Sequence, residues 1–190
     1  MEKVILGDSL VIYRLPFTPS TSKEILLFSV QEHINNNKTM EACDAFDYHG
    51  EYEELNEIEK AGIAICLEIA KRENITYTEH KHNSWINRVR AQNPVQYFFA
   101  KEPYHNHVML NEGSGRFEPK YTFIYYVQMP NNLYGEDGQL VLRDKHGQSH
   151  SIMPKENEFL VHSSNIDHYP KDAHYSTVDR IALASNVGFL

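Results

Sequence analysis

The sequence predicts an α+β chain that is mainly β: a sandwich or jelly roll with N-terminal helices packed on one sheet. Three observations predict it. About eight short strand-like segments follow one another after residue 80, spaced by turn residues. A long amphipathic helix and a shorter one precede them, so helices would cover one sheet. The 190 residues, 41% hydrophobic and 23% charged, suit one folded domain with a real core. We read residues 1–190 as a single domain, with 1–80 as helical N-terminal support and 81–190 as the core.

In the first zone, Leu10-Val11-Ile12-Tyr13-Arg14 reads as a strand stopped at Pro16. Ser20, Thr21 or Ser22 can cap a helix running to about Ile34, with Glu24 in its first turn. Tyr52 to Arg72 is the clearest helix. Leu55, Ile58, Gly62, Ile65, Leu67 and Ile69 populate its apolar face, acidic residues crowd its start, and Lys71 and Arg72 complement the dipole at its end. Between the helices, Asp44, Asp47, His49 and Glu51 read as a solvated loop rather than a cation site.

In the second zone, strands are expected over 84–90, 95–100, 104–110, 121–129, 139–143, 149–153, 158–162 and 180–187. Pro130-Asn131-Asn132, Gly135, Asp137-Gly138, His146-Gly147 and Pro154 supply the turns.

Charge and composition exclude several classes. A net charge of −8 argues against bulk nucleic-acid or anionic-membrane binding. No apolar run reaches membrane-spanning length, and Met1-Glu2-Lys3-Val4 lacks the marks of a secretory signal, so a soluble, cytoplasmic chain is expected. Cys43 and Cys66 are too few for a disulfide framework and read as buried thiols. There is no nucleophile elbow, phosphate loop or dinucleotide fingerprint.

The unusual count is eleven histidines, most of them after residue 79. Clusters of imidazoles mark transition-metal sites. In His105-Asn106-His107, a strand would send both rings to one face, with Cα atoms ~7 Å apart. Further on come Asp167-His168-Tyr169-Pro170 and then Arg180, twelve residues beyond His168. In a jelly roll, a third imidazole from a distant strand can complete a facial set, and a nearby Arg fork suits a carboxylate.

These stretches resemble the iron(II)/2-oxoglutarate-dependent dioxygenase superfamily, in particular its small prolyl-hydroxylase-like members. Ser84-Trp85-Ile86-Asn87 is similar to the strand entering the catalytic core. His105-Asn106-His107 stands where the family has H-x-D or H-x-E. Phe123 to Pro130 and Gly138 to Leu142 are similar to its central hairpin, and His168 with Arg180 to its distal histidine and co-substrate arginine.

The resemblance implies a double-stranded β-helix (jelly roll) core and an Fe(II)/2-oxoglutarate-dependent hydroxylase. Iron(II) would be held by His105, His107 and His168. Arg180, assisted by Tyr126, would bind the distal carboxylate of 2-oxoglutarate; dioxygen is the second co-substrate, and succinate and CO2 are released. The substrate is expected to be a protein or small molecule.

Two positions depart from the family. His107 replaces the usual carboxylate; it could be a third ligand, it could point elsewhere, or Glu112 could reach in, and strand periodicity favours the first. Ala182 stands where relatives place a serine. His162 and His174 lack an arginine at the family distance and rank below His168, and His80-Lys81-His82 reads as a solvated strand end. The segment 111–116 is placed as a substrate-gating loop or a surface turn. The rival readings are a cupin-like three-His metalloenzyme that does not use 2-oxoglutarate and a non-catalytic jelly-roll binding module. Substrate and oligomeric state carry no readable code.

Overall fold

A computed structural model describes residues 1–37, 45–91, 104–108, 117–171, 173 and 175–190. Two strands open the chain, β1 (Glu2–Leu6) and β2 (Leu10–Pro16), followed by α1 (Lys23–Asn36), β3 (Ala45–Tyr48) and α2 (Glu53–Arg72). Then come β4 (His80–Val89), β5 (Tyr121–Gln128), β6 (Leu140–Arg143), β7 (Ser149–Ile152), β8 (Glu158–Ser163), β9 (His168–Pro170) and β10 (Arg180–Phe189).

The helices form where the periodicity places them. Ser22 is the N-cap residue of α1, which buries Leu26, Val30, His33 and Ile34, a stripe at helical spacing. Glu53 and Glu54 lie in the first turn of α2 and Lys71 and Arg72 in its last, each matching the dipole. Asn74, at φ 57°, turns the chain left-handed after α2, and Ile75 N–H donates to the Ala70 carbonyl, closing the helix end.

All strand pairs among the described residues are antiparallel. A seven-stranded sheet has the order β1-β2-β8-β5-β10-β4-β3, and a three-stranded sheet the order β7-β6-β9. This is a jelly roll whose larger sheet carries the two helices, as expected. Period-two alternation divides the larger sheet into two faces. Phe123, Tyr125, Phe159, Val161 and Leu183 join Leu55, Ile58 and Ile69 of α2 in one core. Ile124, Tyr126, Leu160, Ala182 and Ala184 face the other way and meet Leu140, Leu142 and Ile152 of the smaller sheet. At Gly62, α2 comes close to the sheet: a Cβ there would come within 2.6 Å of the Phe123 ring.

Several elements differ from expectation. Residues 1–80, expected to carry one strand, contribute three. The segment expected to be a solvated loop contains β3, which pairs with β4 along the sheet edge. His168 to Pro170, with no strand expected, is β9, pairing with β6. The expected strand over 104–110 does not form among its described residues: His105 makes an isolated bridge, and residues 107 and 108 are already helical. The expected strand at 95–100, the loop at 111–116, Glu112, Cys43, Asp44 and His174 lie outside the described residues. Cys66 is a buried free thiol, its pKa pushed up by burial. Among the described residues, no helix is long and apolar enough to cross a membrane.

Candidate metal centre

The connection between β8 and β9 builds the site. Residues 105 and 168 lie opposite each other and exchange both backbone hydrogen bonds: His105 N–H donates to the His168 carbonyl at 3.1 Å and His168 N–H to the His105 carbonyl at 2.9 Å. Two residues on, His107 N–H donates to the Ser164 carbonyl at 2.9 Å. The Asn106 side-chain amide donates to the Asp167 carboxylate at 2.8 Å. A neighbouring clamp holds Tyr104, whose ring meets Tyr169 edge-on and lies 3.7 Å beneath the Arg143 guanidinium. The H-x-H segment is thus pinned along its length to the chain that carries His168.

Three imidazoles converge as a result. The ligand atoms of His105, His107 and His168 all lie within 4.8 Å of one another. Nε2 of His107 and Nε2 of His168 are 3.3 Å apart. Nitrogens bound at ~2.1 Å to one ion sit about 3.0–3.4 Å apart in octahedral or tetrahedral geometry, so this separation suits a shared cation. The expected convergence of the two H-x-H rings holds, but its cause is different: a bridge followed by a turn into helix aims His105 and His107 together, where alternation along a strand was expected to do so.

The tautomers are set by the surroundings. His168 Nδ1 lies 2.9 Å from the Ile166 carbonyl, which can only accept; Nδ1 therefore carries the proton and Nε2 keeps its lone pair for a metal. Burial drives the pKa values of His107 and His168 well below the ordinary imidazole value, and neighbouring histidines push the same way. Both rings are therefore neutral, the state a metal requires. His107 also packs against Trp85 at 5.1 Å between ring centroids. His105 is exposed while its two partners are buried, so the centre opens to solvent on that side.

Arg180 and Tyr126 lie on the inward face of the larger sheet, buried at 4% and 2% exposure. Tyr126 stands opposite Ala182, next to the start of β10. Burial pushes its phenol up to about 12, against the pull of the Arg180 charge. Along β10, the inward positions after Arg180 are Ala182, Ala184 and Asn186. The two alanines pack in the core between the sheets, and Asn186 pairs with Thr122, which in turn pairs with His162.

His162, expected to rank below His168 as a ligand, stands outside the group of three. Its position beside that group is not evident from the sequence order: its ring centroid is 4.7 Å from that of His168, as close as the triad members are to one another. The alternation of β8 turns Leu160 and His162 inward. His80 and His82 stack on each other at the start of β4, with His82 3.8 Å from Glu59 of α2, on the face away from the triad. Among the described residues, Asp47, His49 and Glu51 form no metal-capable group.

No protein-family model matches the chain. No curated protein matches it either. Solved structures do match in shape. A Pseudomonas putida prolyl-4-hydroxylase superposes with a TM-score of 0.61 at 12% identity, covering 94% of this chain and 92% of that one. A viral collagen prolyl hydroxylase from Paramecium bursaria Chlorella virus-1, in complex with 2-oxoglutarate, gives 0.56 at 11% identity over 94% and 96%. An oxidoreductase of the 2-oxoglutarate/iron(II) oxygenase family from Burkholderia pseudomallei gives 0.58 at 11% over 93% and 85%. The chain therefore has the jelly-roll fold of the 2-oxoglutarate/iron(II) oxygenases, with three histidines placed to hold a metal.

Proposed function

We propose that this chain is an iron(II)- and 2-oxoglutarate-dependent dioxygenase that hydroxylates a protein or small-molecule substrate. The observation that carries the reading is the convergence of His105, His107 and His168 within 4.8 Å inside a fold shared with such enzymes. Bound at that site, iron(II) with 2-oxoglutarate and dioxygen supplies oxidative C–H chemistry, with succinate and CO2 as co-products.

The chain's own residues do the positioning. His105, His107 and His168 would hold the ion through their ring nitrogens, and the Nδ1 bond from His168 to Ile166 keeps that ring oriented. Arg180 offers a guanidinium fork to the distal carboxylate of the keto acid, and the Tyr126 phenol, kept protonated by burial, is a donor for the same carboxylate. Ala182 and Ala184 follow Arg180 on the same inward face of β10 and carry no polar group that would compete for that guanidinium. Exposed His105 marks the side from which a substrate approaches.

One observation favours a second reading. The metal-capable group among the described residues has three imidazoles and no carboxylate. That set also suits a cupin-like metalloenzyme that does not use 2-oxoglutarate, in which Arg180 would be structural. Anaerobic iron(II) titration with and without 2-oxoglutarate separates the two. A visible charge-transfer band that needs both components supports the dioxygenase. Metal binding indifferent to the keto acid supports the second reading, and no tight metal binding leaves only a binding module.

A further inference from the structure

His162 is fully buried beside the triad, and nothing in the three-ligand site uses it. Its Nδ1 lies 2.9 Å from the Ser163 carbonyl, so that nitrogen carries the proton and Nε2 holds a lone pair. Nε2 is buried and has no hydrogen-bond partner among the described residues. A buried acceptor left without a donor is costly, and such an atom in a folded chain calls for a donor.

Its neighbours indicate where that donor sits. The rings of His162 and His168 are 4.7 Å apart, and the imidazole is close enough to bear electrostatically on His105 and His107 as well. Its sheet neighbour Thr122 supplies none: the Thr122 hydroxyl is engaged with Asn186 and Ser164, each at 2.9 Å. Yet His162 does not belong to the set whose ligand atoms lie mutually within 4.8 Å, so it stands one layer behind the ligands. A water on the ion is the donor that fits a lone pair at that remove.

We propose that His162 is a positioning residue of the metal centre, its Nε2 accepting a hydrogen bond from a water bound to the ion held by His105, His107 and His168. The inference rests on the metal-binding part of the function proposed above. Its consequence is that the centre keeps a bound water, and with it a higher coordination number, that three imidazoles alone would hold less firmly.

The test is Co(II) titration of the whole chain, with the intensity of the d–d bands reporting coordination number, on wild type, His162→Gln, His162→Phe and His162→Leu. Wild type and His162→Gln, which retains an acceptor, should give weak six-coordinate bands. The two apolar variants should give bands severalfold stronger, with Co(II) affinity reduced about ten-fold. Thermal midpoints are measured alongside, and two apolar shapes separate loss of the acceptor from misfit in the barrel. Unchanged bands and affinity in both apolar variants would overturn the proposal. So would complete loss of Co(II) binding in variants that melt like wild type, because His162 would then be a ligand itself. If wild type binds no Co(II), this inference and the proposed function fall together. If it binds Co(II) but 2-oxoglutarate leaves the spectrum unchanged, only the dioxygenase reading falls, and His162 is judged on its variants.

Discussion

The two faces of the seven-stranded sheet are built from alternate residues of the same strands, and they do different work. Toward the helices, β5 and β8 present Phe123, Tyr125, Phe159 and Val161, a dry aromatic layer in which Phe159 touches the rings of Phe17, Phe123 and Tyr125. Toward the smaller sheet, the same strands present Thr122, Tyr126 and His162, and β10 adds Arg180 and Asn186. One face is chemically inert and tightly packed; the other holds polar groups that are costly to bury without partners. The lesson is a division of labour at a two-residue period. Burial on the helix side supplies the stability that lets the inner face carry groups chosen for binding.

The sharpest way to break this division is on the inner side. His168→Ala should abolish tight iron(II) or Co(II) binding while the far-ultraviolet circular dichroism and thermal midpoint stay near wild type. Loss of fold together with metal would mean that His168 serves the core and not a centre.

On the helix side, Phe159→Ala should cost about 3–5 kcal/mol by chemical denaturation, because it removes a fully buried ring from an aromatic cluster. Metal affinity of the molecules still folded should not change. A parallel fall in both quantities would show that the two faces are coupled.

The faces should also differ in their response to acid. Burial, with a smaller push from His105, holds His162 at about 4 in the folded chain, against 6.5 when unfolded. Between those values the unfolded chain binds a proton that the folded chain does not, so stability falls as pH drops from 6.5 toward 4. At about 1.4 kcal/mol per pH unit, His162 alone accounts for a loss of about 3 kcal/mol. His107 and His168 are shifted in the same direction and add to it. Denaturation with chelator present, at pH 7 and pH 4, measures the loss, and His162→Phe should reduce it. A flat profile would mean that these rings are not buried neutral.

Arg180→Ala should weaken 2-oxoglutarate about 30-fold or more, the cost of truncating one partner of a buried charge pair. Iron(II) affinity should hold, and equal weakening of both would point to a folding defect. The smallest effect belongs to Gly62→Ala, whose new methyl meets the Phe123 ring on the helix side. It should lower stability by about 1–3 kcal/mol without altering ligand binding.

Much of this architecture was legible before any coordinates. The apolar stripe of Leu55, Ile58 and Ile69 located α2, and alternation located β4, β5, β8 and β10. The strands that escaped notice are short or lie at sheet edges. Among the described residues, β1 pairs only with β2 and β3 only with β4, and β9 has three residues and ends in proline. Such segments have little periodicity of their own, and their partners hold them extended. The triad was legible as residue types in order, His105, His107 and His168, yet the strand expected beneath the first two is a single bridge leading into a helical turn.

By itself, the sequence determined which residues have the chemistry to bind a metal and a carboxylate, and which faces of helix and strand must be buried. Those are local properties, set by side-chain type and backbone period. Only the tertiary structure decided that residues 105 and 168 exchange backbone hydrogen bonds, that His107 turns in beside them, and that His162 stands behind the group with an unpaired nitrogen. Contacts between segments some sixty residues apart follow from how strands are ordered in two sheets, and no local pattern encodes that order.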